Sequence, residues 1–111
     1  MECFEEVDMN ECALLDETVR WLTEAPISGH TLDDKVRQLL QAEYLRKIGQ
    51  FKRTDMMLTK KYGMNFSRFM DERVVAKMQY SWESETDAMD WEEAVSGIQT
   101  IERKLAMLRV S

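Results

Sequence analysis

Residues 91–108 read WEEAVSGIQTIERKLAML, and their apolar pattern is the strongest indication of the fold. Its apolar residues recur at intervals of three and four, at Trp91, Ala94, Ile98, Ile101, Leu105 and Leu108. Such a heptad pattern is typical of a helix that packs lengthwise against another helix. Because fewer than three heptads are too few for a free-standing coiled coil, we expect the second helix in the same chain. Ile98 and Ile101 are then predicted to be buried between the two helices.

The second long helix is predicted over residues 32–62. Its apolar residues form a stripe that drifts around the helix and so faces more than one neighbour. They are Leu32, Val36, Leu40, Tyr44, Ile48, Phe51, Leu58 and Tyr62. Thr31 is the candidate N-cap, and Gly63 fits the position just after the helix. Antiparallel packing of this helix on residues 86–108 would form a helical hairpin.

Two shorter helices complete the predicted fold. The first covers residues 10–24 and ends before Pro26 and Gly29, since neither residue continues a helix easily. The other covers residues 66–78 and follows Asn65, whose side chain suits an N-cap.

The last predicted helix is preceded by a loop over residues 79–84, and its cap is predicted to be Ser84 or Thr86. Two glycines lie inside the long helices, where glycine lowers helix stability by roughly 1 kcal/mol relative to alanine. We interpret Gly49 as a kink or a close helix crossing, and Gly97 as a position that permits a close crossing.

The composition fits one small helical domain. Apolar residues make up 44% and charged residues 32% of 111 residues, enough to form a core. The predicted fold class is all-α: a long antiparallel helical hairpin with a shorter helix packed across one end and an N-terminal helical arm. We divide the chain into an acidic N-terminal arm with a short helix, residues 1–30, and a helical hairpin domain, residues 31–111.

The cellular location is predicted to be cytoplasmic. No apolar run approaches the roughly 20 residues that cross a bilayer, and the acidic start lacks the positive charge of a signal peptide. Cys3 and Cys12 are too few for a disulfide framework or a zinc site. Two free thiols fit a reducing compartment.

We expect no enzyme activity, cofactor or metal. His30 is the only histidine and lies in a predicted loop or helix entry, and no glycine-rich phosphate loop is present. A dense acidic cluster has neither the spacing nor the glycine of a calcium loop, and it comprises Glu83, Glu85, Asp87, Asp90, Glu92 and Glu93. Nothing in the pattern indicates the burial that would tune carboxylates for catalysis.

Aromatic residues interleave with this acidic cluster. Residues 79–93 carry 6 acids and no base, within a chain of net charge −6. Such a patch suits a basic protein surface, since tryptophan supplies contact area and the acids steer association. The predicted partner-binding residues are Tyr80, Trp82, Glu83, Glu85, Asp87 and Asp90. Trp91 is assigned to the core because it lies on the heptad stripe. For Trp82 two interpretations remain, a buried core residue and a residue that contacts the partner.

The basic residues of the second helix offer an alternative. Residues 31–62 carry 8 bases and 4 acids. One interpretation is that this segment attracts the acidic segments within the fold. The other is nucleic-acid binding by the basic face of residues 35–61, with candidates Lys47, Lys52, Arg53, Lys60 and Lys61.

Two motifs resemble a known family. Residues 60–66 read KKYGMNF and are followed by Phe69, and residues 80–87 read YSWESETD and are followed by Asp90-Trp91-Glu92. They resemble short helical proteins of cyanobacteria and archaea that lie beside small toxin genes and look like antitoxins of type II toxin–antitoxin pairs. The resemblance covers about residues 31–108. It implies neutralisation of a small, often basic toxin by direct contact.

The sequence therefore predicts a noncatalytic binding protein that is antitoxin-like and regulates or neutralises a small partner protein. The alternatives are a nucleic-acid-binding regulator and a structural homo-oligomer or adaptor, for which a homodimer is the simplest form. The acidic N-terminal arm is a second candidate contact.

Overall fold

The computed structural model describes residues 14–110 of the chain. Of these residues 81% are helical and none forms a strand, so the predicted all-α class is confirmed. The five helices are α1 Asp16–Glu24, α2 Leu32–Tyr62, α3 Phe66–Asp71, α4 Val74–Lys77 and α5 Trp82–Val110. The two cysteines and residues 10–13 of the predicted first helix lie outside the described residues. Leu14 and Leu15, also predicted to be helical, are not, because α1 begins at Asp16 after an extended Leu15.

The chain divides into two compact units, Met1–Leu40 and Gln41–Ser111, with the division inside α2. The sequence prediction had placed the division at residue 30. No described residue of the first unit is buried, whereas the second unit contains the entire described core.

Within the first unit, a lysine of α2 supplies the positive charge that the last turn of α1 lacks. The last turn of α1 carries no basic residue. The Lys35 ammonium of α2 donates to the main-chain oxygens of Leu22, Thr23 and Ala25 at 2.9, 3.0 and 3.2 Å. A cation at this end satisfies free carbonyls and complements the helix dipole.

The start of α2 confirms the predicted N-cap. Thr31 Oγ1 accepts from the Asp34 N–H at 3.0 Å, and Asp34 Oδ2 accepts from the Thr31 N–H at 3.4 Å. This reciprocal pair is a capping box with aspartate in the third position. Backbone N–H donation from His30 and Thr31 lowers the pKa of Asp34.

The second unit contains the hairpin. Ile48 of α2 packs with Ile101 and Leu105 of α5, while Leu58, farther along α2, packs with Trp91, which lies earlier in α5. Residue numbers rise along one helix as they fall along the other, so the predicted antiparallel hairpin is confirmed. Ile101 is buried as predicted. Ile98 is half-buried against the same cluster.

The close crossing in the hairpin lies at Gly97. A Cβ atom there would come within 2.3 Å of the Phe51 ring of α2, so the backbone must be free of a side chain at this point. A Cβ on Gly49 would meet only the Arg53 guanidinium, at 3.6 Å. The prediction of a crossing is therefore confirmed at Gly97, and Gly49 makes no such contact.

The helix predicted across one end of the hairpin is present but broken, so the continuous helix over residues 66–78 was wrong. The Asn65 side chain accepts from the Arg68 N–H at 2.8 Å and caps α3 as predicted. α3 ends at Asp71, and Arg73 takes a left-handed φ of 52° before α4. In one helix Phe69 and Val74 would lie about 140° apart. The break brings both against the Leu58–Trp91 core.

The start of α5 also differs from the prediction. Ser81, not Ser84 or Thr86, is the N-cap, because its hydroxyl accepts from the Ser84 N–H at 3.1 Å. Trp82 therefore belongs to the first turn of α5 and not to a loop. Ser84 is fully buried and donates its hydroxyl to the Ser81 carbonyl at 3.0 Å.

Candidate functional site

Trp82 and Trp91 occupy opposite sides of α5. Nine residues separate them, which corresponds to about 900°, or two and a half turns. Trp91 is 0% exposed and its indole N–H donates to Asp55 at 2.7 Å, whereas Trp82 is 83% exposed. The core assignment of Trp91 is thus confirmed, and the open question about Trp82 is answered by its exposure.

A second apolar side chain lies on the same side of α5 as Trp82. Met89 follows Trp82 by seven residues, which is almost two full turns, and is 71% exposed. Tyr80, just before the helix, is 65% exposed on a backbone with φ of 54°. We call Trp82, Met89 and the exposed acids Glu85 and Glu93 around them the Trp82 face.

Sequence reasoning missed Met89. Its signal is the seven-residue spacing from Trp82, which identifies a shared helix face only once α5 is known to begin at Trp82.

Two of the predicted contact acids are engaged within the protein. The Lys61 ammonium donates to Asp87 at 2.6 Å and also to Glu83, and the Tyr62 hydroxyl donates to the same Asp87 oxygen at 2.6 Å. This network ties the end of α2 to the start of α5. The predicted attraction between the basic and acidic segments is therefore seen here.

The pKa values of this network shift in the direction that favours the bonded charge state. Burial raises the pKa of Asp87, but the hydrogen bonds from Lys61 and Tyr62 outweigh it and lower that pKa overall. Hydrogen bonds to Asp87 and Glu83 raise the pKa of Lys61. Burial and the bond to Asp87 raise the pKa of Tyr62 to about 12.

The other predicted acids are open to solvent. Glu85 and Asp90 are exposed and form no ion pair with any described residue. Asp90 and Glu93 line one side of a groove of about 250 Å³, whose other side is Phe51 and Met57 of α2. These carboxylates can meet a basic partner without first breaking an internal pair.

The basic candidates for nucleic-acid binding are spread around α2. At 100° per residue, Lys47 and Lys52 lie about 140° apart. Lys61 is held by Asp87 and Glu83, and Lys47 lies 5.5 Å above the Phe51 ring. The five side chains therefore form no single basic face.

The described residues contain no other candidate chemistry. His30 is exposed, and its backbone N–H donates to the Asp34 carboxylate. Among residues 14–110, no group of three or more His, Cys, Asp or Glu side chains has the arrangement of a metal site. None of the described helices combines the length and the apolar character that crossing a membrane requires.

Comparisons with protein-family models, with curated proteins and with solved structures gave no match to this chain.

Proposed function

We propose that the chain is a noncatalytic, cytoplasmic binding protein that recognises another protein through the Trp82 face. The observation that carries the proposal is the exposure of Trp82, 83%, on a well-formed helix whose other tryptophan fills the core. An exposed tryptophan is unfavourable unless a partner covers it, and interface hot spots are enriched in tryptophan.

The charge around Trp82 indicates the chemistry of the partner. Glu85, Asp90 and Glu93 are exposed acids, and residues 79–93 contain no base. Such a surface attracts a basic protein and speeds its association, in a way that salt weakens. The antitoxin resemblance implies a small basic toxin, so the product of the neighbouring gene is the first partner to test.

The test is coexpression of the two proteins, with growth rescue and complex formation as separate measurements. Trp82→Ala is expected to weaken binding by about 2 kcal/mol, roughly 30-fold in Kd, without loss of helix content. Glu85→Lys is expected mainly to slow association.

Trp21→Ala is the matched comparison, because Trp21 is also an exposed tryptophan, at 62%, and lies on α1 in the acidic N-terminal arm, the second candidate contact. If this variant loses binding and Trp82→Ala does not, the proposed surface is wrong. A partner that fails to bind either the wild-type chain or the variants removes the toxin assignment.

A further inference from the structure

A second heptad stripe runs along α2 on the side opposite its buried face. Its residues are spaced four, three, four, three and four apart: Ala42, Arg46, Gly49, Arg53, Met56 and Lys60. All are exposed except Gly49, which is half-buried. Every second member of the series is basic, with cations at positions 46, 53 and 60. We call this stripe the α2 outer face.

A matching stripe runs along α5, opposite the buried Trp91 stripe. Its residues, again four and three apart, are Trp82, Thr86, Met89, Glu93, Ser96 and Thr100. Glu85 and Glu92 flank it, so this side is acidic where the α2 outer face is basic. We call it the α5 outer face, and it includes Trp82, Met89 and Glu93 of the Trp82 face.

The two outer faces are complementary in three respects. Arg46, Arg53 and Lys60 oppose a face with acids at Glu85, Glu92 and Glu93. Met56, 70% exposed, supplies apolar area to meet Trp82 and Met89. Ala42, Gly49 and Ser96 have small side chains or none, which lets two helices approach closely. Heptad spacing on both faces permits lengthwise packing.

We propose that copies of this chain associate through these faces, with the α2 outer face of one copy packed on the α5 outer face of the next. Arginine suits this contact because its planar guanidinium both pairs with carboxylates and stacks on an indole ring. The internal Arg46–Glu43 pair is exposed on both sides and is a weak competitor.

The geometry makes the association open-ended. At 100° per residue, Arg46 and Arg53 of α2 and Trp82 and Met89 of α5 lie opposite the shared core, so the centres of the two outer faces point away from each other. Glu93, at the edge of the α5 outer face, also lines the groove beside α2. Two copies therefore cannot make the same contact twice, and the assembly grows into a ring or a chain and does not stop at a two-fold dimer. The self-contact uses the Trp82 face of the proposed function, so a basic protein partner would compete with it.

Sedimentation velocity of the full chain tests the proposal across a wide concentration range and at low and high salt. The mass is expected to exceed that of one chain, to rise with concentration beyond two copies, and to fall with salt. A single-chain mass at every concentration in low salt would overturn the proposal. That result would leave the proposed function standing if Trp82→Ala still weakened partner binding.

Two charge reversals identify the faces. Arg53→Glu disables the α2 outer face, and Glu93→Lys disables the α5 outer face; both residues are exposed, so the fold is retained. Each variant alone is expected to stay a single chain. An equal mixture is expected to associate, because the second variant keeps its α2 outer face and the first keeps its α5 outer face.

The controls carry the same charge changes elsewhere on the hairpin unit. Lys77→Glu and Asp71→Lys alter exposed residues of α4 and the end of α3, and both variants are expected to associate as the wild type does. If the wild type associates but the mixture of Arg53→Glu and Glu93→Lys does not, copies meet through other surfaces and the proposed pairing is wrong.

Discussion

The two tryptophans of α5 allow the core and the exposed face to be probed with the same residue type. Trp91 is fully buried and Trp82 is 83% exposed. Trp91→Ala is expected to lower the free energy of unfolding by about 3–5 kcal/mol, because it leaves a cavity and removes the indole N–H that donates to Asp55. Trp82→Ala is expected to stay within about 0.5 kcal/mol of wild type. Urea denaturation followed by circular dichroism measures both. A comparable loss in Trp82→Ala would mean that Trp82 is covered in solution.

The Lys61–Asp87 network makes the free energy of unfolding depend on pH in the acid range. The folded state lowers the pKa of Asp87, so its contribution is present above the ordinary pKa of aspartate and is lost as pH falls through the lowered value. Asp87→Asn is therefore expected to flatten the loss of stability below about pH 4. Thermal melts across the acid range measure this effect.

Asp90→Asn is the matched control for the melts at acid pH, since Asp90 is exposed and forms no ion pair with a described residue. It makes the same change from carboxylate to amide outside the Lys61–Asp87 network, so it shows the effect of the substitution itself. Equal slopes for Asp87→Asn and the wild type would show that the network contributes nothing measurable.

For single residues, the sequence predicted burial correctly where the side chain lies on a regular apolar stripe of a helix. Trp91 was assigned to the core because it lies on the heptad stripe. Trp82 was left open because it was placed in a loop before a cap at Ser84 or Thr86, whereas the cap at Ser81 makes Trp82 the first residue of α5. The engagement of Asp87 by Lys61 and Tyr62 depends on contacts across the hairpin, which local sequence does not specify.

At the scale of the elements, the two helical glycines of the hairpin are expected to respond in opposite ways to alanine. Gly49→Ala meets no close atom and is expected to stabilise α2 by up to about 1 kcal/mol through helix propensity. Gly97→Ala gains the same propensity but drives a methyl group to within 2.3 Å of the Phe51 ring. Overpacking of this kind costs about 1–3 kcal/mol, so a net loss is expected.

Melting temperatures of the two glycine variants measure the difference. A Gly97→Ala protein at least as stable as the wild type would show that the hairpin helices are farther apart in solution. The double variant Gly97→Ala with Phe51→Leu is expected to recover part of the loss, because the smaller side chain makes room for the added methyl group.

The long helices could be predicted and the short ones only in part. The ends of α2 were set by local signals, the Thr31 capping box and Gly63, whose φ is 68°. The break between α3 and α4 has no such signal, because Glu72 and Arg73 are acceptable helix residues. The left-handed turn at Arg73 lets Phe69 and Val74 pack on one core. This tertiary packing outweighs the local preference of Glu72 and Arg73 for a continuous helix.

In the molecule as a whole, the border between the two compact units does not coincide with the end of a helix. The sequence predicted an acidic arm with a short helix over residues 1–30 and a hairpin domain over residues 31–111, and the compact units of the structure divide inside α2, between Leu40 and Gln41. Helix ends follow local capping, whereas compact units follow side-chain contacts, and one helix can serve two units.

This division predicts unequal local stability along one continuous helix. No described residue of the first unit is buried, and exposed apolar side chains there include Trp21, at 62%, and Leu39, at 47%. The second unit holds all the buried residues of the described chain: Ile48, Leu58, Phe69, Ser84, Trp91, Ala94, Ile101 and Leu105. Local opening costs less free energy where few apolar contacts are lost.

Hydrogen exchange resolved to short peptides tests this expectation within α2 itself. Backbone amides of residues 36–40 are expected to exchange faster than those of residues 48–58, although both sets make the same helical hydrogen bonds. The comparison within one helix removes differences in temperature, pH and labelling time. Equal protection at low protein concentration would contradict the prediction, because Val36, Leu39 and Leu40 are exposed and lose few apolar contacts when the helix opens there. Protection of residues 36–40 that appears only as concentration rises would instead show that another copy of the chain covers them.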